Sequence, residues 1–182
     1  HNDPGTFTTF LGWEWSSLPN AANLHRVVFT AAGAEKGDQF IPYSAIDSSR
    51  PEDLWNWLDS TSKALDIDFV AIPHNSNISK GKMFDLVDSE GRPLDANYAR
   101  ARIRWEPLVE ATQIKGDSET HLLLSPDDAF ADFETYRFLI DTRPNADKTA
   151  SVTAGSYVRA ALKRGLQLDG QTGVNPYQFG MI

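Results

Sequence analysis

Cysteine is absent from the 182 residues, which excludes a disulfide framework, a cysteine zinc site, an iron–sulfur cluster and thiol catalysis. Absence of thiols is compatible with the cytoplasm and with export, and the periplasmic or secreted side is favoured. Basic residues are in deficit, 17 Lys+Arg against 25 Asp+Glu for a formal net charge of -8, so neither a nucleic-acid footprint nor an anionic-membrane surface is expected. No stretch approaches the roughly 20 apolar residues of a membrane span. Methionine occurs only at Met83 and Met181 and the first residue is His1, so the chain reads as an excised piece of a longer protein. Internal repeats, low-complexity segments, a nucleophile elbow, a phosphate loop, a dinucleotide fingerprint and a His-Glu-x-x-His helix are all missing.

What is present is an ordinary globular composition, 41% hydrophobic, 11% aromatic and 23% charged, read as one domain over residues 1–182. Phe7 to Trp15, after the turn signal Asp3-Pro4-Gly5, and Leu24 to Thr30 have strand composition and suit a hairpin-like pair. Ser48 or Ser49 as N-cap, Pro51 in the first turn and Glu52 and Asp53 at the positive end of the dipole open a helix running to Leu65. The apolar run Asp68 to Pro73 suits a strand of a parallel sheet, buried on both faces. A second helix is predicted from Ala96 to Trp105, stopped by Pro107, and a strand from Leu108 to Thr112. Ser125-Pro126-Asp127-Asp128 predicts a third helix, and Ser151 to Lys163 a fourth, ended by Gly165. Strands alternating with helices give an α/β class with a parallel or mixed sheet flanked by helices.

Three ionisable residues stand where the pattern wants apolar ones: Glu14, His25 and His74. Alternation points Glu14 to the strand face opposite Trp13 and Trp15, beside Gly12, where a small residue leaves space. Buried alone, that carboxylate would cost several kcal/mol, so it needs donors or a cation. A hairpin brings it to His25, eleven positions later. His74 ends a strand, where α/β sheets carry ligand groups, and leads into Asn75-Ser76-Asn77 and Lys80-Gly81-Lys82, a loop that offers amides and positive charge to an anion. Imidazole with carboxylate suits Zn, Mn or Fe. The structural alternatives are an ion pair of Glu14 with Arg26 or Arg50, satisfied core histidines, solvated loop lysines and tryptophans used for packing. Gly116-Asp117-Ser118 with nearby His121 resembles an esterase nucleophile only weakly, and the sequon Asn77-Ile78-Ser79 carries no weight.

The strings Phe7 to Trp15, Asn23-Leu24-His25-Arg26-Val27-Val28, Ile72-Pro73-His74-Asn75-Ser76-Asn77, Trp105 to Glu110, Gln113 to Glu119 and Asn175-Pro176-Tyr177 with Phe179-Gly180 resemble, end to end, the bacterial domain-of-unknown-function family 3604 (DUF3604). That family resembles the polymerase and histidinol phosphatase (PHP) superfamily, distorted (β/α) barrels that hold divalent metals at strand ends and hydrolyse phosphoesters. The resemblance implies a partial PHP-like barrel. Glu14 is similar to the bridging Gly-x-Glu ligand, His25 to the histidine that follows it, His74 to the His-Pro ligand with Asn75 in place of proline, and Glu110 to the next ligand. The superfamily's His-x-His and Asp-x-His pairs would lie before residue 1 and after residue 182, so the resemblance implies middle ligands only, metal lost and no turnover in this piece.

Two functions follow as expectations. In the first, Glu14, His25, His74 and Glu110 hold divalent metal that activates water, and Arg26, Asn75, Asn77, Lys80 and Lys82 receive a small anionic ester. In the second, the same residues are structural and a Trp-rich face binds a glycan or a peptide. Uncovered strand edges in a piece of a barrel predict a homodimer.

Overall fold

The computed structural model describes residues 2–3, 5–139 and 152–182; Pro4 of the expected first turn and Ser151 of the expected fourth helix lie outside the described residues. Hydrophobic strands and three amphipathic helices form a mixed α/β arrangement among the described residues. Strand β1 (Leu11–Trp15) pairs antiparallel with β2 (Arg26–Thr30), and β2 with β3 (Val70–Pro73), also antiparallel. The expected hairpin-like pair is therefore present, while the parallel setting expected for 68–73 is corrected. An apolar run reports burial on both faces and carries no record of strand direction.

Parallel pairing occurs instead between the short strands β4 (Leu108–Val109) and β7 (Gly180–Met181), and β5 (Thr112–Gln113) forms a tight ribbon with β6 (Gly116–Asp117). Three separate small sheets result, and no barrel forms among the described residues. The strand expected from Leu108 to Thr112 is split into β4 and β5.

Helix α1 (Ala34–Gly37) is a single turn, and α2 (Pro51–Leu65) and α3 (Ala96–Trp105) cover one face of the three-stranded sheet. Leu54, Trp55 and Leu58 give α2 an apolar stripe one turn long, and Ala99 and Trp105 serve α3 likewise. They pack on Trp15, Val28 and Ala71 of the sheet, together with Phe69, Phe84, Val109, Val158 and Tyr177. Each large apolar side chain buried in this way contributes about 1.5–3 kcal/mol. The N-cap position of α2 is Arg50, without a side-chain cap, while Ser48 accepts from the Arg50 amide and bonds Asp53. In α3 the Asp95 carboxylate accepts from the Tyr98 amide, a capping bond that fixes the helix start.

Two helix expectations are corrected. Ser125 to Asp128 forms turns, because Asp128 is drawn to the Arg159 guanidinium at 2.6 Å and to the Phe130 amide instead of starting a helix. Helix α4 (Val158–Thr172) runs through Gly165 and ends at Gly173, which takes the left-handed conformation with φ 76°.

The tryptophans do not share an exposed face. Trp15, Trp55 and Trp105 are core residues, and Trp13 and Trp57 pack edge-on at 5.8 Å within a cluster that includes Phe40 and Phe69.

Candidate metal centre

Register and alternation assemble the centre from three strand ends. Glu14 of β1 lies opposite Val27 of β2, and Arg26 opposite Pro73 of β3. One step beyond that pair, His25 and His74 face each other, with the His74 amide donating to the His25 carbonyl. Residues 14, 25 and 74 consequently project from the same face of the sheet, away from Trp15, Val28 and Ala71. Gly12, two residues before Glu14, permits close strand approach rather than an open space: a Cβ there would meet the Val28 carbonyl oxygen at 3.0 Å.

One oxygen of Glu14 joins both rings. Oε1 lies 2.7 Å from His25 Nδ1 and 3.2 Å from His74 Nε2, and the rings stand edge to face with centroids 5.7 Å apart. The carboxylate oxygen and the two imidazole nitrogens all lie within 4.8 Å of one another, a spacing that a single cation can bridge. Exposure falls from 48% for the Glu14 side chain through 18% for His25 to 9% for His74, so the cluster opens to solvent at Glu14 and closes at His74.

Burial, the leading influence, pushes both imidazoles below their ordinary value of 6.5. Glu14 opposes that shift at His25, where the charges of Lys115 and Arg26 add to it; at His74, Glu110 and then Glu14 oppose it. Neutral rings result at pH 7, the form in which histidine ligates a metal.

Two buried polar atoms beside this cluster have no partner: Nδ1 of His74 and Oε1 of Glu110. The Glu110 amide donates to the Pro73 carbonyl at 3.0 Å, placing that carboxylate next to His74, although outside the tight group of three. The Glu14 carboxylate, His25 Nδ1 and His74 Nε2, with the unused Glu110 oxygen nearby, form a donor set that fits a divalent cation.

The other sequence-nominated residues go to several places. Arg26 points to the opposite face, 1% exposed, with Nε 2.9 Å from Glu106 Oε1 and its guanidinium over Trp15, so it is spent on a buried ion pair and does not face the cluster. Arg50 pairs with Glu90 and Asp53, so neither arginine neutralises Glu14. Asn75 follows His74 in a left-handed backbone conformation, φ 52°, with both amide atoms buried and unpartnered. Asn77 is structural: its Nδ2 donates to the Lys115 carbonyl at 2.8 Å and its amide to Ser118 Oγ at 3.2 Å. Lys80 donates to the Asn20 carbonyl, and Lys82 lines a cavity of about 250 Å³ with Arg26, Arg50 and Arg102, away from the cluster. Ser118 is buried and bonded to Asn77 rather than to His121, which leaves no esterase arrangement there.

Sequence reading missed Asn23, whose Nδ2 donates to the His74 carbonyl at 2.8 Å and ties the end of β3 to the segment before β2. It also missed Glu106, shared by Arg26, Arg102 and the Trp55 indole. A glutamate just before Pro107 carries no local sign of such a role.

The family model described as Protein of unknown function (DUF3604) matches residues 1–182. No curated protein and no solved structure matches the chain.

Proposed function

The chain belongs to the DUF3604 family, and we propose that it carries the metal-holding part of a metal-dependent hydrolase acting on small anionic esters, phosphoesters first among them. The observation that supports this reading most is the convergence of Glu14, His25 and His74 at the ends of three strands, with one ligand atom of each within 4.8 Å of the others.

In this reading His25 Nδ1 and His74 Nε2 are the nitrogen ligands, Glu14 supplies a carboxylate from the solvent side, and Glu110 completes the set at the closed end. A divalent cation held there would draw charge from an ester oxygen and lower the pKa of water toward neutrality. The protein's own part is positional. Asn23 fixes the His74 loop, the β1–β2–β3 register fixes the three side chains, and the sheet shields the closed side from bulk water. A PHP-like architecture in the whole protein is part of the proposal and rests on the sequence resemblance alone.

The test is hydrolysis of chromogenic phosphomonoesters and phosphodiesters by the natural protein that carries these residues, with Mn, Fe or Zn and after chelation. Metal-dependent turnover that falls about 100-fold or more in Glu14→Gln is expected. Turnover indifferent to chelation, or none on any ester at saturating metal, contradicts the proposal.

A further inference from the structure

The cavity of about 250 Å³ lined by Lys82 gathers four cations, Arg26 of β2, Arg50 at the start of α2, Lys82 between β3 and α3, and Arg102 of α3, and none of Glu14, His25 and His74 lines it. Two of the four are buried. Arg26 and Arg102 are each 1% exposed and share one carboxylate, Glu106, so two positive charges held out of water meet one negative charge. Glu106 Oε1 is taken up by Arg26 Nε at 2.9 Å and the Trp55 indole at 2.8 Å. Arg102 Nη2 lies 3.1 Å from Glu106 Oε2 but out of line for a hydrogen bond, and neither Nε nor Nη2 of Arg102 has an acceptor. Arg50 Nε is also buried without one, 3.7 Å from Asp53 Oδ2 and beyond hydrogen-bond reach.

The carboxylates on the same wall are engaged by their own loop. Glu52 accepts from the amide and the hydroxyl of Ser89 at 2.9 and 2.7 Å, Asp88 from the Glu90 and Arg92 amides at 2.9 Å and from Arg92 Nε at 2.7 Å, and Asp85 Oδ1 from the Leu86 amide at 2.7 Å. Donors are thus in surplus, and α2 begins at the cavity with no side-chain cap, which adds the positive end of its dipole. We propose that this cavity is a binding site for a small carboxylate, taken up by the guanidinium of Arg102 with Arg50 as the second donor. The Nε–Nη2 edge of a guanidinium matches the two oxygens of a carboxylate with two parallel bonds, and both of those nitrogens are unused in Arg102. Fixed carboxylates on the wall favour a singly charged group over a dianion, because each repels the ligand's charge. The site is separate from the metal centre and binds its ligand with or without metal.

The probes are acetate, propionate and lactate, titrated by calorimetry into the metal-free natural protein at constant ionic strength, with inorganic phosphate as the competing class. Saturable binding of at least one carboxylate, tighter than phosphate, is expected. Arg50→Met and Arg102→Lys, which keeps the charge and loses the two-nitrogen edge, are each expected to weaken it about tenfold, and Lys63→Met, on the exposed side of α2, to leave it unchanged. Thermal unfolding of Arg102→Lys beside the parent separates lost binding from lost folding, and Arg50→Met, at a side chain 38% exposed, decides the matter where Arg102→Lys does not fold. No saturable binding of any of the three carboxylates overturns the site. Phosphate bound more tightly than all three overturns the carboxylate class, and parental affinity in a folded Arg102→Lys or in Arg50→Met overturns the assignment to these arginines.

Discussion

Glu106 shows how a single carboxylate can be committed wholly to structure. Arg26 and Arg102 both pair with it, at 2.9 and 3.1 Å, and all three side chains are at most 1% exposed. Burial pushes the Glu106 carboxyl up, but the two guanidinium groups outweigh it and hold the carboxyl below its ordinary 4.5. Glu106→Gln leaves two buried cations without a counter-charge and is expected to cost about 3–5 kcal/mol in denaturant unfolding. The same shifts fix the sign of the pH dependence. His25 and His74 have lowered native values, so their contribution is complete above 6.5 and is lost as pH falls through those lowered values. Glu106 adds a second loss below 4.5, and in Glu106→Gln that second step is absent. Stability measured across pH 3–8 checks both steps.

At the scale of elements, much of the fold is legible in the sequence. The strands through Glu14 and Val28, the helix from Pro51 to Leu65 and the helix from Ala96 to Trp105 all lie where composition and periodicity place them. Pairing direction is not legible, as β3 shows, because antiparallel and parallel partners bury the same apolar residues. Gly165 misleads for a different reason. It lies inside α4 because the helix packs closely there, where a Cβ would come within 2.1 Å of Asn175 Oδ1, the acceptor for the Tyr177 amide. Gly170, in the same helix, faces open space. The pair predicts opposite signs: Gly170→Ala stabilises by about 0.5–1 kcal/mol, while Gly165→Ala destabilises by about 1–3 kcal/mol despite its better helix propensity. Unfolding of the two single variants in parallel decides the point. The candidate site is legible in part: Glu14 and His25 follow from a hairpin and His74 from its strand end, but the bond from Asn23 to the His74 carbonyl spans 51 positions and no local pattern announces it.

At the scale of the molecule, the three-stranded antiparallel sheet of the described residues commits its helix-covered face to the core, and its opposite face carries Glu14, His25 and His74. Because those side chains come from three strand ends, a cation held between them would cross-link the strands, and binding to the native state alone raises stability by mass action. Manganese or zinc at about 100 times its dissociation constant is expected to add about 2.7 kcal/mol in the parent and nothing in His74→Ala. No helix among the described residues is long and apolar enough to cross a membrane. The most direct measurement is metal content by mass spectrometry of the natural protein, as purified and after incubation with Mn, Fe and Zn, beside His74→Ala and Glu14→Gln. The account predicts stoichiometric metal in the parent and its loss in both variants, with circular dichroism unchanged. A correctly folded parent that stays metal-free in all three metals would contradict it, and Glu14, His25 and His74 would then be structural residues of the sheet.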